Sequence, residues 1–201
     1  MTKIRTGWRY AALVLLCGAM FATGHALAQG EEVEGEGGGM EQMPPWAQIG
    51  EEHEGIAKFA GKWKVHGSWI MQEGAPETEM DFDATAEMVM GGKWLIQKTA
   101  GERMGSAWEG QLLFGYDTID KDYISVWVDS WSPIASVARG QMTDGVLMLE
   151  GMDPDHATGR KKKVRMGIEW KGDDEYRWTF YDVAANGANA RVGHLEYKRV
   201  K

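Results

Sequence analysis

Met80-Asp81-Phe82-Asp83-Ala84-Thr85-Ala86-Glu87-Met88 alternates apolar with mostly polar residues over nine positions. Successive side chains of a strand point to opposite faces, so this period of two predicts a strand with one face buried. Gly91-Gly92 follows as a turn, and the same grammar repeats on both sides. Ten strands are predicted, roughly Trp63 to Met71, Thr78 to Met90, Trp94 to Glu102, Ala107 to Tyr116, Tyr123 to Asp129, Ile134 to Gln141, Val146 to Gly151, Lys162 to Trp170, Tyr176 to Asp182 and Arg191 to Arg199.

Turn residues separate these strands: Asp117 with Asp120 and Lys121, Ser132-Pro133, Asp144-Gly145, Asp153-Pro154 through Gly159, Gly172 with Asp173 and Asp174, and Asn186-Gly187. No gap between strands holds a crossover helix, and short connections demand antiparallel neighbours. Ten such strands leave bare edges unless the sheet closes or splits in two. The expected fold is therefore all-β, an antiparallel up-and-down barrel of about ten strands around an interior cavity, with a packed sandwich as the rival. Ile49, His53, Ile56, Ala57 and Ala60 recur at helical spacing before Gly61, which adds a short N-terminal helix.

The rest of the chain reads as ends. Lys3, Arg5 and Arg9 precede an apolar run from Tyr10 to Thr23 that closes on Ala26-Leu27-Ala28. This is the pattern of an export signal over residues 1–28 and too short a run for a membrane span, so a periplasmic or secreted protein with no stable membrane insertion is expected. Residues 29–50 form an acidic, glycine-rich arm, and 51–201 the barrel domain.

Of 22 basic and 30 acidic residues, three cations belong to the signal and eight acids to residues 29–54, which leaves a nearly balanced body. That balance argues against nucleic acid as a partner. The only cysteine, Cys17, lies in the apolar run, so the mature chain has neither a disulfide nor a cysteine nucleophile. His53, His66, His156 and His194 lack the close pairing of a metal site, and no cofactor is expected. The G-x-S-x-G elbow and phosphate-loop patterns are also absent.

Gly61-Lys62-Trp63-Lys64-Val65, Met90-Gly91-Gly92-Lys93-Trp94-Leu95, Trp108-Glu109-Gly110 with Gly115-Tyr116-Asp117, Tyr123 through Trp127-Val128-Asp129-Ser130, and Asp153-Pro154 through Gly159 with Lys163-Val164-Arg165 resemble, in order and spacing, the bacterial family catalogued as domain of unknown function 1579. The resemblance covers about residues 51–199 and implies a relative of the calycin barrels, which include lipocalins and fatty-acid-binding proteins. It implies no reaction. His194 stands near where members often carry an acid.

Five residues are candidates for binding a small apolar or amphipathic molecule inside the barrel. Trp127 and Asp129 share a strand phase, so an indole and a carboxylate face one side. Glu109 sits in an apolar stretch where a buried charge needs a partner, and Arg165, among Val164, Met166 and Ile168, could supply it. Tyr181 and Trp178 occupy opposite phases, so one of them lines the core. Trp63, Phe82, Met88, Trp94 and Phe114 would add apolar area. Two alternatives remain: a lumen isomerase or hydrolase with Asp129 or Glu109 as base and Tyr181 as acid, and an interaction module using the acidic arm.

Overall fold

The computed structural model describes residues 43–70, 74–155 and 158–201. The predicted signal and most of the predicted arm lie outside these residues, as does His156. Past a short 3-10 turn at Pro45–Ala47 comes one helix, α1 (Glu51–Ala57). Ten strands follow: β1 (Gly61–Ile70), β2 (Glu77–Val89), β3 (Trp94–Arg103), β4 (Ser106–Asp117), β5 (Asp122–Asp129), β6 (Ser132–Thr143), β7 (Val146–Asp155), β8 (Arg160–Gly172), β9 (Glu175–Val183) and β10 (Asn189–Arg199). Each strand pairs antiparallel with the next and β10 pairs with β1, closing an up-and-down barrel without an edge. The rival sandwich is thereby excluded. Among the described residues no helix is long and apolar enough to cross a membrane.

The nine-residue stretch from Met80 lies in β2, where Phe82, Ala84 and Ala86 are buried and Asp81, Asp83 and Thr85 are exposed. Two turns differ from the sequence expectation. Ser132 and Pro133 open β6 rather than preceding it, the reversal falling at Ser130 and Trp131. Asp153-Pro154 extends β7, where both residues face Lys162 and Lys161 of β8 across the ladder. Polar residues at a hairpin's end look like turn residues in sequence yet still pair when the facing strand supplies partners.

One end of the barrel is shut by the segment that carries α1. Ile56 is fully buried, and Phe59 meets Phe114 edge-on, with Trp170 and Tyr176 also against its ring. Trp63 donates its indole N–H to the Phe59 carbonyl at 2.9 Å. Arg199 lies over the Trp63 ring at 4.1 Å and donates to the carbonyls of Ala60 and Lys58, tying the last strand to the helix exit. Burial lowers the pKa of His53, whose Nδ1 accepts the Gly50 N–H.

Halfway up the lumen a polar cluster is fully enclosed. Gln97, 2% exposed, accepts a hydrogen bond from the Tyr176 hydroxyl at 3.2 Å and donates to Tyr197 Oη and Thr99 Oγ1. The Tyr176 and Tyr197 rings stack at 4.3 Å. Burial pushes the Tyr197 phenol up to about 12, against the smaller lowering effect of Gln97, and raises Tyr176 as well.

A phenol held neutral by burial stabilises the fold below its unfolded pKa near 10, and that contribution is lost as pH rises through about 12. In an alkaline titration followed by phenolate absorbance, Tyr176 and Tyr197 should ionise late, together with loss of the barrel's circular dichroism. A single wave near 10 with the fold intact would show that the cluster is open to water.

Several wall glycines are seats for aromatic rings. Gly193 faces Trp69 across β1 and β10, and any Cβ there would run into the indole and into the Ser68 carbonyl. Gly101 stands against Phe82, Gly110 against Trp127 and, on the outer wall, Gly115 against Trp94. Rings laid flat over the missing side chain of a neighbour let a narrow barrel hold many tryptophans. Trp94 accordingly covers the outside of the sheet and does not line the lumen, because Leu95 takes the inward phase.

Candidate functional site

At the end away from α1, strand alternation brings Trp127 and Asp129 together as the sequence suggested. Trp127 Nε1 donates to Asp129 Oδ2 at 3.1 Å, and Asp129 Oδ1 accepts the Trp131 N–H at 2.9 Å. One carboxylate therefore both fixes an inward indole and shapes the β5–β6 turn. The Trp127 ring stacks on Trp108 at 5.8 Å, and Phe82 packs on the other side of Trp108 at 4.7 Å.

Trp108 is the key group of this mouth. It is only 7% exposed, and its Nε1 is buried with no hydrogen-bond partner. A buried indole N–H ordinarily finds an acceptor, and leaving one unmade costs about 1–3 kcal/mol. Over the mouth lies Arg103, its guanidinium 3.9 Å from the Trp131 ring centre and 6.0 Å from that of Trp108. Desolvation lowers the Arg103 pKa, while the charge of Asp129 works in the opposite direction. The mouth thus combines stacked aromatic faces, an opposed cation and anion, and one donor with nothing to donate to.

The other three candidates lie on the outer wall, which corrects their expected placement in the lumen. Glu109 is exposed because Trp108 and Gly110 take the buried phase on either side of it. Its apolar sequence neighbours are inward residues and not its surroundings. Its main chain holds the mouth, accepting the Ser130 N–H and donating to Ser130 Oγ. Arg165 does not meet Glu109. It bonds Glu150, which faces it across β7 and β8, and reaches Asn189 Oδ1 at 2.8 Å. The resulting ion pairs, with Lys163 also on Glu150 at 2.6 Å, hold the Glu150 carboxyl below the usual range.

Tyr181 faces Arg165 across β8 and β9, and Trp178 takes the inward phase instead. It lines an outer-wall recess of about 420 Å³ with Glu169, Arg177, Thr179, Arg191 and His194. A second outer recess, about 300 Å³, lies around His66, Asp81 and Gly101. Sequence reasoning passed over Trp108, Arg103 and Trp131. The signal for Trp108 was available, since it shares its phase with Leu112 and Phe114; the approach of Arg103 to Trp131 joins two hairpins and has no local signature.

Among the curated proteins none matches this chain. A solved structure, that of Rv2717c from M. tuberculosis, superimposes with a TM-score of 0.53 at 14% sequence identity, over 77% of this chain and 100% of the other. At that identity the likeness bears on the fold alone, and it agrees with the barrel. The family model described as protein of unknown function (DUF1579) matches residues 48–199, from just before α1 to the end of β10, and the chain belongs to that family.

Proposed function

We propose that the barrel binds a small amphipathic molecule at its mouth, with the apolar part against Phe82, Trp108 and Trp127 and a hydrogen-bond acceptor on Trp108 Nε1. The observation that carries this reading is the buried indole N–H with no partner beside a stacked aromatic wall. A bound acceptor offsets the cost of that group, and concave sites elsewhere use the same mixture of apolar area with a few placed polar atoms. Arg103 lies 6.0 Å from the Trp108 ring centre and stacks on Trp131, so we take entry to require that these two side chains part. The pattern of an export signal over residues 1–28 supports, as part of the same proposal, binding outside the cytoplasm.

A lumen enzyme would need Asp129 or Glu109 to share a site with Tyr181. Glu109 and Tyr181 face outward, and Asp129 is engaged by two N–H groups, so no observation favours that chemistry. The arm that an interaction module would use lies outside the described residues.

Binding is tested by tryptophan fluorescence and thermal shift with dodecanol, dodecanoate and dodecylamine, which share a tail and differ in head group. Trp108→Phe keeps an aromatic ring and removes the donor. We expect the alcohol or the carboxylate to bind, and Trp108→Phe to bind about 2- to 12-fold more weakly, the equivalent of one neutral hydrogen bond. The unliganded variant should lose no hydrogen-bond stability. Equal affinity in both proteins, or no binding of any of the three, would contradict the proposal.

A further inference from the structure

The recess on the outer wall of β8, β9 and β10 is separate from the mouth, and its chemistry is nearly all of one kind. Arg177, Thr179, Tyr181, Arg191 and His194 line it together with one acid, Glu169. Glu169 is already held by Lys171 at 2.5 Å. Each guanidinium is braced by a carboxylate, Arg177 by Glu196 across the ladder and Arg191 by Glu77, and Ser68, only 2% exposed, donates its hydroxyl to that same Glu77. Arg177 also keeps a buried Nε with no acceptor.

The network fixes the histidine as well. His194 Nδ1 lies 3.3 Å from Arg191 Nη1 and 3.3 Å from Ser68 Oγ. A guanidinium only donates, so Nδ1 accepts from Arg191 and the ring proton sits on Nε2, while Ser68, its single proton directed to Glu77, touches Nδ1 without a hydrogen bond. The irregularity in β10 between Arg191 and Gly193 shifts the register so that Arg191 faces Tyr181 on this wall. The recess therefore collects two guanidiniums, one imidazole N–H and two hydroxyls, all able to donate, around about 420 Å³.

We propose that this recess binds the phosphate group of a small phosphate monoester. A carboxylate is planar and is satisfied by one guanidinium fork, whereas five donors arriving from two neighbouring strands, β9 and β10, suit the tetrahedral oxygens of phosphate. The recess is roomier than a single oxyanion requires, which leaves space for the esterified group. A soluble ester and a lipid head group offer the same chemistry.

The test uses the full chain and isothermal titration with glycerol phosphate and inorganic phosphate, and sedimentation with phosphatidylcholine vesicles that contain phosphatidic acid. Glycerol phosphate should bind with a Kd of about 1 mM or tighter, weaken about tenfold in Tyr181→Phe and be lost in Arg191→Gln, with partial return in Arg191→Lys. Tyr181 is not a member of either bracing ion pair, so its variant separates binding from folding. Vesicle sedimentation lost in the same variants would assign the phosphate to a lipid, and binding of the soluble ester alone to a metabolite. No binding of either ester form, or binding unchanged in Tyr181→Phe and Arg191→Gln, would overturn the proposal. Dodecanol binding at the mouth is unaffected in every case, so the two readings fail independently.

Discussion

Trp63→Ala should destabilise the barrel by about 3–5 kcal/mol, the cost of removing a large buried aromatic and leaving its cavity. The residue is 1% exposed and joins parts of the chain that are otherwise far apart. Its ring meets Tyr176 edge-on at 4.7 Å, its N–H satisfies the Phe59 carbonyl, and Arg199 from the last strand covers its face. Loss of the indole frees the helix exit, β9 and the end of β10 at once. Single domains are stable by only about 5–15 kcal/mol, so this one change removes a large share. Denaturant unfolding gives the comparison with Trp94→Ala, where the indole lies over Gly115 on the outer wall and the expected loss is much smaller. Equal losses at the two positions would show that the closed end is not the packed centre of the fold.

Gly140→Ala should cost about 1–3 kcal/mol or more, although it adds one methyl group. Gly140 sits in β6 opposite Tyr123 on one side and Leu149 on the other. A Cβ there would collide with the Met148 carbonyl and the Leu149 Cα, which are main-chain atoms that no change of rotamer can move. The β6–β7 ladder would have to part. Gly167→Ala is the control, because its nearest neighbours are the flexible Met148 Sδ at 3.3 Å and the Val146 Cγ1 at 3.5 Å. Hydrogen exchange should show the loss in Gly140→Ala concentrated in β6 and β7. An unchanged midpoint of unfolding would contradict the close approach of these two strands.

The fold was legible because alternation is local. Phe82, Ala84 and Ala86 announce their buried face within one strand, and turn residues such as Asp144-Gly145 mark where the chain reverses, with positive φ at both positions. Closure followed from the count of strands and the shortness of their connections. The site was legible only where it too was local: Trp127 and Asp129 are two residues apart on one strand, and they do bond.

Glu109 and Arg165 show where such reading ends. Each lies among apolar neighbours, and composition alone suggested burial, but the neighbours belong to the opposite phase. The partner of Arg165 was fixed by the register of β7 against β8, which sets Glu150 across from it, and register depends on turn geometry as much as on pattern. Arg103, Trp108 and Trp131 converge only because three strands and two hairpins end at the same mouth.

The most direct test is the indole proton spectrum of the nitrogen-15-labelled protein, titrated with dodecanol or dodecanoate. Trp108 Nε1–H should shift downfield and become more protected from exchange as it gains an acceptor, while Trp63 Nε1–H, already bonded to Phe59, stays in place. A Trp108 signal that does not move at saturating probe, or that moves no more than that of Trp63, would contradict binding at the mouth.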